Sequence, residues 1–336
     1  MATQYTRFKL NSGAWIPALG QGTWRDADFQ EDAVLIGLRA GYRHIDTARM
    51  YVKQPQLNRD LVRKISADIS FGSYGTESAV GRAIKNGAVP RSELFITTKL
   101  WNNSHKPEDV EPALDASLKD LGLDYVDLFL MHWPVAFEPG PTLFPKDSDE
   151  KIKLADIDYV DTYKAMEKLL ETGKTKAIGI ANFSRAEVER LLKETSVIPA
   201  VHQMELHPWL QQKSFLEFHK SVGIHVVGYS PLGNQNKVYD QKEGKEGKLL
   251  DDPTLVAVGK KYGKNPAQIA LGWGVNCGHS VIVKSKRPEL VRSNFESDFE
   301  IKADDLQELQ SIDKKMRFND PSGGFGYNCL ADLDGK

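Results

Sequence analysis

Short apolar runs alternate with stretches of helical periodicity along almost the whole of this sequence. Eight such runs can be distinguished: ALGQGTW, RHID, LFITTKLW, YVDLFLMHWP, KAIGIANFS, AVHQMEL, IHVVGYSPLG and SVIVKS. Eight strand–helix units in 336 residues predict a closed parallel (β/α)8 barrel, the TIM-barrel architecture. The segment RFKLNSGAWIPALG leads into the first of these runs and predicts an N-terminal β-hairpin.

A doubly wound open sheet is the competing architecture, and its dinucleotide site normally carries G-x-G-x-x-G after the first strand. Here Gly20-Gln21-Gly22 continues as Thr23-Trp24-Arg25, so the sequence lacks that motif. No linker rich in Pro, Gly or Ser divides the chain. We therefore expect a single barrel domain over residues 1–336.

Composition excludes several classes of partner. A net charge of −2 gives no electrostatic reason to bind nucleic acid or an anionic membrane. No apolar run approaches the roughly 20 residues that span a bilayer, and the first residues lack a signal-peptide pattern. Cys277 and Cys329 have neither metal-ligand spacing nor a disulfide framework. We expect a cytoplasmic, monomeric protein with no metal and a small-molecule substrate.

Polar residues able to do chemistry stand where the predicted strands end. Taken singly, each is more often an ordinary surface or core residue. In a barrel, however, all strand ends meet at one rim, where catalytic sites are built. Seven strand ends carry such residues: Asp46, Lys99, His132, Asn182, Gln203, Tyr229-Ser230 and Lys284-Ser285. Their repetition predicts one catalytic site at that rim.

Six motifs resemble the aldo-keto reductase family, and they occur in the family's order: GYRHIDTA, FITTKLWN, LFLMHWP, IGIANFS, HQMELHPW and YSPLG. The resemblance runs from about Phe8 to Asn328 and leaves out only a segment after Met50. It implies a (β/α)8 barrel that uses a nicotinamide cofactor. It also implies a C-terminal loop, here FGYNCLAD, that supplies a variable wall of the substrate pocket.

The resemblance further implies four catalytic roles. A tyrosine hydroxyl would protonate the alkoxide that forms when a carbonyl accepts hydride. The unperturbed pKa of a tyrosine is about 10, and it must be lowered if the hydroxyl is to give up its proton at neutral pH. Lys99 would lower that pKa by favouring the phenolate, and Asp46 would keep the lysine charged and in place. His132, as a neutral imidazole, would orient the carbonyl oxygen by a hydrogen bond. Tyr51 and Tyr74 are both candidates for the tyrosine.

The implied cofactor is NADPH. The segment VKSKRPELVRSN resembles the part of the family that grips the adenosine 2′-phosphate. The family pattern places Asn182 and Gln203 at the carboxamide and Tyr229 where an aromatic ring stacks. Ala181 replaces the usual serine and Leu290 the usual arginine, which predicts one fewer hydrogen bond to the carboxamide and a modest preference for NADPH. The expected cofactor-binding residues are Thr23, Trp24, Asp46, Asn182, Gln203, Tyr229, Ser230, Leu232, Lys284, Ser285, Lys286, Arg287 and Asn294.

Trp24, Trp101 and Trp133 match pocket positions of the family and are, with His132, the expected substrate-binding residues. No fixed charge that would anchor an acid is evident. We therefore expect neutral aldehydes or small sugars, reduced to alcohols. Oxidation of a polyol such as glycerol would be the same reaction run in reverse. Two alternatives stay open: a non-catalytic cofactor-binding barrel, and an inactive splice product.

Residues 51–73 interrupt the family pattern, which reads Asp-Thr-Ala-x-x-Tyr-Gly-x-Glu without a break. The insertion adds 23 residues between Met50 and Tyr74. Met50-Tyr51-Val52 must be encoded ATG-TAY-GTN, which contains the intron-start consensus GTAYGT, and a serine codon at 73 can supply the terminal AG. Splicing there would leave an isoleucine codon and the in-frame sequence DTARIYGTES. We hypothesise a retained intron; the alternative is a polar lid on the catalytic rim.

The origin of this insertion decides which tyrosine is the acid. In the spliced product it would be Tyr74. If the segment is a lid, it would be Tyr51, which keeps the five-residue spacing from Asp46. Because a misplacement of about 1 Å at such a site can lower the rate on the order of 10²-fold, we expect this full chain to have reduced activity.

Overall fold

The computed structural model describes residues 5–24, 30–50, 76–233, 235 and 247–335. Eight parallel strands form a closed barrel in which each strand pairs with the next and the last pairs with the first. The strands are β3 (Leu19–Gly22), β4 (His44–Asp46), β5 (Phe95–Leu100), β6 (Leu128–Met131), β7 (Ile178–Ala181), β8 (Val201–Glu205), β9 (His225–Tyr229) and β10 (Ser280–Val283). The predicted TIM barrel is confirmed.

The predicted N-terminal hairpin is also present. Its strands, β1 (Arg7–Lys9) and β2 (Trp15–Pro17), pair antiparallel with Phe8 opposite Ile16. Ile16 and Leu10 are buried in one cluster with residues at or just before the start of several strands, such as Phe95, Leu128 and Ala200, so the hairpin covers the end of the barrel where the strands begin. The opposite end, where the strands finish, remains available for a site.

Helices surround the barrel, and most of them are amphipathic, with one apolar face buried and one polar face exposed to solvent. Several begin and end with the expected capping residues, as at Ser184, where a capping box with Glu187 starts a helix. The described helices are α1 (Gln30–Ala40), α2 (Thr76–Asn86), α3 (Pro107–Leu121), α4 (Tyr159–Thr172), α5 (Arg185–Glu194), α6 (Lys213–Val222), α7 (Pro253–Tyr262), α8 (Pro266–Asn276), α9 (Pro288–Phe295), α10 (Ala303–Gln310) and α11 (Ser322–Phe325).

Two irregular segments rise over the end of the barrel where the strands finish. One follows β6 and is closed by isolated bridges between Phe137 and Leu154 and between Lys146 and Ile152. The other is the chain after α10, whose Leu330 is fully buried in the main core cluster. Among the described residues, no helix is long and apolar enough to cross a membrane. The predicted insertion, 51–73, lies outside the described residues, as do Tyr51 and Tyr74.

A carboxyl group is buried where α2 packs on β5. Glu77 has no exposed surface, and the hydroxyl of Thr98 donates a hydrogen bond of 2.6 Å to its Oε1. Burial raises the pKa of Glu77 from 4.5 to about 7, against the hydrogen bonds from Thr98 and Ser117, which lower it. The folded chain therefore binds a proton here more tightly than the unfolded chain does.

This carboxyl is expected to make stability fall as pH rises. Below pH 4.5 the group is protonated in both states, and above pH 7 the folded chain carries a buried charge, so the full loss, about 3 kcal/mol, develops between these values. Urea unfolding at about pH 5 and about pH 8 should show most of this loss in the wild type relative to Glu77→Gln. The exposed Glu171→Gln should track the wild type; an E77Q profile parallel to the wild type would contradict the assignment.

Candidate active site

A buried ion pair joins the ends of two neighbouring strands. Asp46 is the last residue of β4, and Lys99 lies near the end of β5. The Lys99 ammonium donates to Asp46 Oδ1 over 2.6 Å and to the carbonyl of Thr47 over 2.9 Å. The two side chains are 0% and 3% exposed. Removal of either partner would leave a buried charge uncompensated, so each residue stabilises the other in the folded chain.

The second oxygen of the same carboxylate is also engaged. Gln203, on β8 across the barrel, donates from Nε2 to Asp46 Oδ2 over 2.7 Å. Asp46 thus connects Lys99 to one of the two predicted carboxamide-binding residues. The carboxylate is fixed from both sides.

His132 directly follows β6 and stands beside the ion pair. Its backbone N–H donates to the carbonyl of Leu100 over 3.1 Å, and its side chain lines a cavity at the rim. Burial, with a further contribution from the charge of Lys99, holds the pKa of His132 well below its usual range. The imidazole is therefore neutral at physiological pH and is available as a hydrogen-bonding group, not as a cation.

The cavity has a volume of about 700 Å³ and lies at the end of the barrel where the strands finish. Most of the predicted site residues line it: Thr23, Trp24, Asp46, Trp101, His132, Trp133, Asn182, Gln203, Tyr229, Ser230, Leu232, Lys284 and Ser285. Lys99 is not on its surface but contacts it through Asp46. The structure therefore brings these side chains together around one space.

Three predicted cofactor residues lie elsewhere. Lys286 and Arg287 are exposed, and Asn294 is buried within α9; none of the three lines the cavity. The Arg287 guanidinium lies 3.5 Å from the Glu289 carboxylate, with both side chains about two-thirds exposed. Neighbours in sequence do not share a face here, because the chain turns into α9 immediately after the cavity.

The middle of the cavity carries an amide and an aromatic ring. The Tyr229 hydroxyl donates to Asn182 Oδ1 over 2.7 Å, and Asn182 Nδ2 donates to the carbonyl of His132 over 2.9 Å. Asn182 has a φ of 63°, a left-handed conformation that asparagine tolerates better than most residues. These bonds fix the Tyr229 ring and the Asn182 amide relative to His132.

Aromatic side chains form the far end of the cavity. Trp101 packs edge-on against His132, with ring centroids 5.1 Å apart, and Phe325 packs edge-on against Trp133 at 5.5 Å. The Trp101 indole N–H donates to the carbonyl of Leu143 over 2.7 Å. The Trp101 N–H is thus already hydrogen-bonded within the protein. This part of the cavity is predominantly apolar.

Sequence reasoning did not single out several cavity residues. Phe144 and the run from Phe318 to Pro321 line the cavity, although they belong to the irregular segments over the rim. Only Phe325 falls in the predicted wall. Both stretches combine aromatic residues with proline, as in LFP and RFNDP, which is the one local signal that could have marked them.

The residues on either side of the insertion also lie at this rim. Met50 lines the cavity. The hydroxyl of Thr76 is 3.4 Å from the hydroxyls of both Thr23 and Thr47. The chain therefore leaves and re-enters the described structure next to the ion pair.

Comparison with known proteins agrees with this geometry. The model of the Aldo/keto reductase family matches residues 9–314. The chain belongs to the aldo/keto reductase family. It is similar to an uncharacterized oxidoreductase of Schizosaccharomyces pombe, with 44% identity over 94% of this chain and 91% of that protein. It is also similar to human aldo-keto reductase family 1 member A1, with 39% identity over 92% of this chain and 90% of that protein.

A solved aldo/keto reductase structure matches the fold as well. The aldose reductase of Schistosoma japonicum superposes with a TM-score of 0.82 at 31% identity, over 96% of this chain and 97% of that one. As a member of this family the chain is an oxidoreductase, and the family uses nicotinamide cofactors. Among the described residues, no group of three or more His, Cys, Asp and Glu side chains is placed to hold a metal ion.

Proposed function

We propose that this chain reduces neutral aldehydes or small sugars to alcohols with NADPH. The observation that carries the proposal is the buried Lys99–Asp46 pair, at 2.6 Å, next to a neutral His132 on the wall of an apolar cavity. Burying an ammonium group costs desolvation free energy. In an active site this cost has a functional reason, because the positive charge stabilises a negative oxygen that forms during the reaction.

The proton is supplied by a tyrosine hydroxyl, which donates to the carbonyl oxygen as that oxygen gains negative charge. Lys99 stabilises the phenolate that remains, and Asp46 keeps the lysine protonated and aimed. His132, being neutral, donates one ring N–H to the carbonyl oxygen and holds it in place. Bound NADPH supplies the hydride, which no side chain can provide. The tyrosine is Tyr74 if residues 51–73 are a retained intron, and Tyr51 if they are a lid.

The residues that line the cavity fit a nicotinamide dinucleotide. The amides of Asn182 and Gln203 can hydrogen-bond a carboxamide, and the ring of Tyr229 offers a flat apolar face beside them. At the other end, Lys284 and Ser285 offer an ammonium and a hydroxyl, the groups that bind a phosphate. Arg287 contributes less to this end than its sequence position suggests, since its guanidinium is exposed beside Glu289.

The charges around the cavity favour a neutral substrate. Among the described residues that line it, Lys284 is the one permanent cation, and it stands at the proposed phosphate end. Asp320 lines the rim and would repel a carboxylate. The Trp101 N–H, which could otherwise bind a carboxylate, is already bonded to the carbonyl of Leu143.

Loss of NADPH absorbance over a panel of aldehydes tests this function. For aldehydes of equal size, the neutral compound is expected to have the higher kcat/KM. NADPH should be preferred to NADH, but only modestly, because Leu290 replaces the family's usual arginine. The panel is run on the chain with and without residues 51–73. A preference for carboxylate-bearing substrates would contradict the proposed substrate class.

A pair of variants serves as the control on cofactor choice. Lys284→Met should weaken NADPH binding by about tenfold while changing NADH binding little, because one phosphate contact is worth on the order of 1–2 kcal/mol. Arg287→Met should have the smaller effect of the two. Equal losses for NADPH and NADH in Lys284→Met would show that this lysine does not recognise the 2′-phosphate.

A further inference from the structure

A second buried carboxylate lies at the rim, outside the machinery proposed above. Glu205 is the last residue of β8, two positions after Gln203, and its side chain is fully buried. The amide N–H of Phe318 donates to its Oε1 over 2.8 Å, and the amide N–H of Asn319 donates to its Oε2 over 2.9 Å. One side chain therefore binds two consecutive backbone groups of the C-terminal segment.

Cationic and polar partners keep this carboxylate ionised. Burial alone would raise the pKa of Glu205, but the hydrogen bond from His207, the charge of Arg317 and the hydrogen bond from the amide of Phe318 outweigh burial and lower that pKa. His207 Nε2 is 3.2 Å from Oε1, and Arg317 Nη1 is 3.8 Å from Oε2. Hydrogen bonds to a buried carboxylate are stronger than those to a neutral acceptor.

The two bound amides begin the part of the C-terminal segment that covers the cavity. Phe318, Asn319 and Phe325 all line the cavity, and Phe325 packs on Trp133. Asn319 also donates from Nδ2 to the hydroxyl of Ser230 over 3.3 Å. Hydrogen bonds to Glu205 and Ser230 thus fix the first residues of this wall against the barrel.

We propose that Glu205 is the positioning residue that holds residues 318–325 as a wall of the active-site cavity. It touches neither substrate nor cofactor and acts through the two backbone amides. Its replacement should loosen the wall without disturbing the Lys99–Asp46 pair. Glu205→Gln keeps the size of the side chain but turns one acceptor oxygen into a donor that faces a backbone N–H.

Hydrogen exchange of the full chain tests this directly. In Glu205→Gln, the amides of residues 318–320 and 322–325 should exchange at least about tenfold faster than in the wild type. Glu167→Gln is the matched control. Its carboxylate also accepts from two consecutive amides, Ser196 at 2.7 Å and Val197 at 2.6 Å, but in the loop that leads into the start of β8. It should accelerate exchange only there. Unchanged exchange over 318–325 in E205Q would overturn the proposal.

If Glu205→Gln does not fold, the wild type still decides the question. The amides of Phe318 and Asn319 should then exchange at least about tenfold more slowly than the amide of Gly323, which is exposed in the same segment. Equal exchange at the three positions would overturn the proposal.

A kinetic measurement rests on the proposed function and separates positioning from a general structural role. In E205Q the KM for a bulky aromatic aldehyde should rise at least about tenfold, while the KM for a short aldehyde stays within about twofold. Equal rises for both would overturn the assignment. If neither the full chain nor the chain lacking residues 51–73 turns over either aldehyde, the proposed function fails, and the exchange measurement still decides the role of Glu205.

Discussion

Deleting residues 51–73 and replacing Met50 with Ile is expected to raise kcat/KM for an aldehyde by about 10²-fold or more. The variant reads DTARIYGTES, so that Tyr74 follows Asp46 by five residues, the spacing of the family pattern. Steady-state loss of NADPH absorbance on the full chain and on the variant gives the ratio directly.

The structure supports this expectation from both sides of the deletion. Before it, Asp46 and Thr47 are bonded to the Lys99 ammonium. After it, Thr76 lies next to Thr23 and Thr47, and Glu77 is bonded to Thr98. A short connection between these two anchored ends would hold one tyrosine at the ion pair.

Two tyrosine variants identify the acid. In the deletion background, Tyr74→Phe should abolish turnover and leave NADPH binding within about twofold, because the hydroxyl acts only on the developing alkoxide. In the full chain, Tyr51→Phe tests the lid alternative. If the full chain is as active as the deletion variant, and Tyr51→Phe alone removes that activity, residues 51–73 are a lid and Tyr51 is the acid.

Replacing Lys99 with Met is expected to lower kcat by roughly 10²–10⁴-fold in the deletion background, with little change in aldehyde KM. The ammonium acts on the phenolate that forms during proton transfer, and this interaction is made in the transition state. The exposed Lys119→Met is the control and should match its parent. A kcat that falls by less than about tenfold in K99M would remove Lys99 from the proposed mechanism.

Loss of stability must be separated from loss of catalysis in this variant. Met at 99 leaves Asp46 as a buried carboxylate without its cation, which destabilises a fold by about 3–5 kcal/mol. The double variant Asp46→Asn, Lys99→Met removes both charges and should recover most of the stability while remaining inactive. Thermal unfolding and NADPH oxidation on the same samples distinguish the two effects.

The barrel could be predicted from sequence because its signal is repeated. Each strand–helix unit is weak evidence, but eight in series leave few alternative architectures. The same repetition located the rim residues. Asp46, Lys99 and His132 each stand at the end of a strand, and parallel strands in a barrel finish on the same side.

The connections within the site could not be predicted in this way. Gln203 reaches Asp46 across the barrel from 157 residues away, a contact that depends on barrel closure and not on any local pattern. Likewise, Lys286 and Arg287 follow Lys284 in sequence, but the turn into α9 directs them away from the cavity. Within the two irregular segments, Phe325 was the one cavity-lining residue predicted, because irregular segments carry no periodicity that reveals which side chains point inward.

Measurement of the alcohol formed for each NADPH consumed, by the chain lacking residues 51–73 and by its Lys99→Met variant, tests the catalytic assignment most directly. We predict one alcohol for each NADPH oxidised, formed from a neutral aldehyde, and loss of that product in Lys99→Met while NADPH still binds. NADPH binding without product from any aldehyde in the panel, in both proteins, would contradict this prediction and would assign the chain as a non-catalytic cofactor-binding barrel.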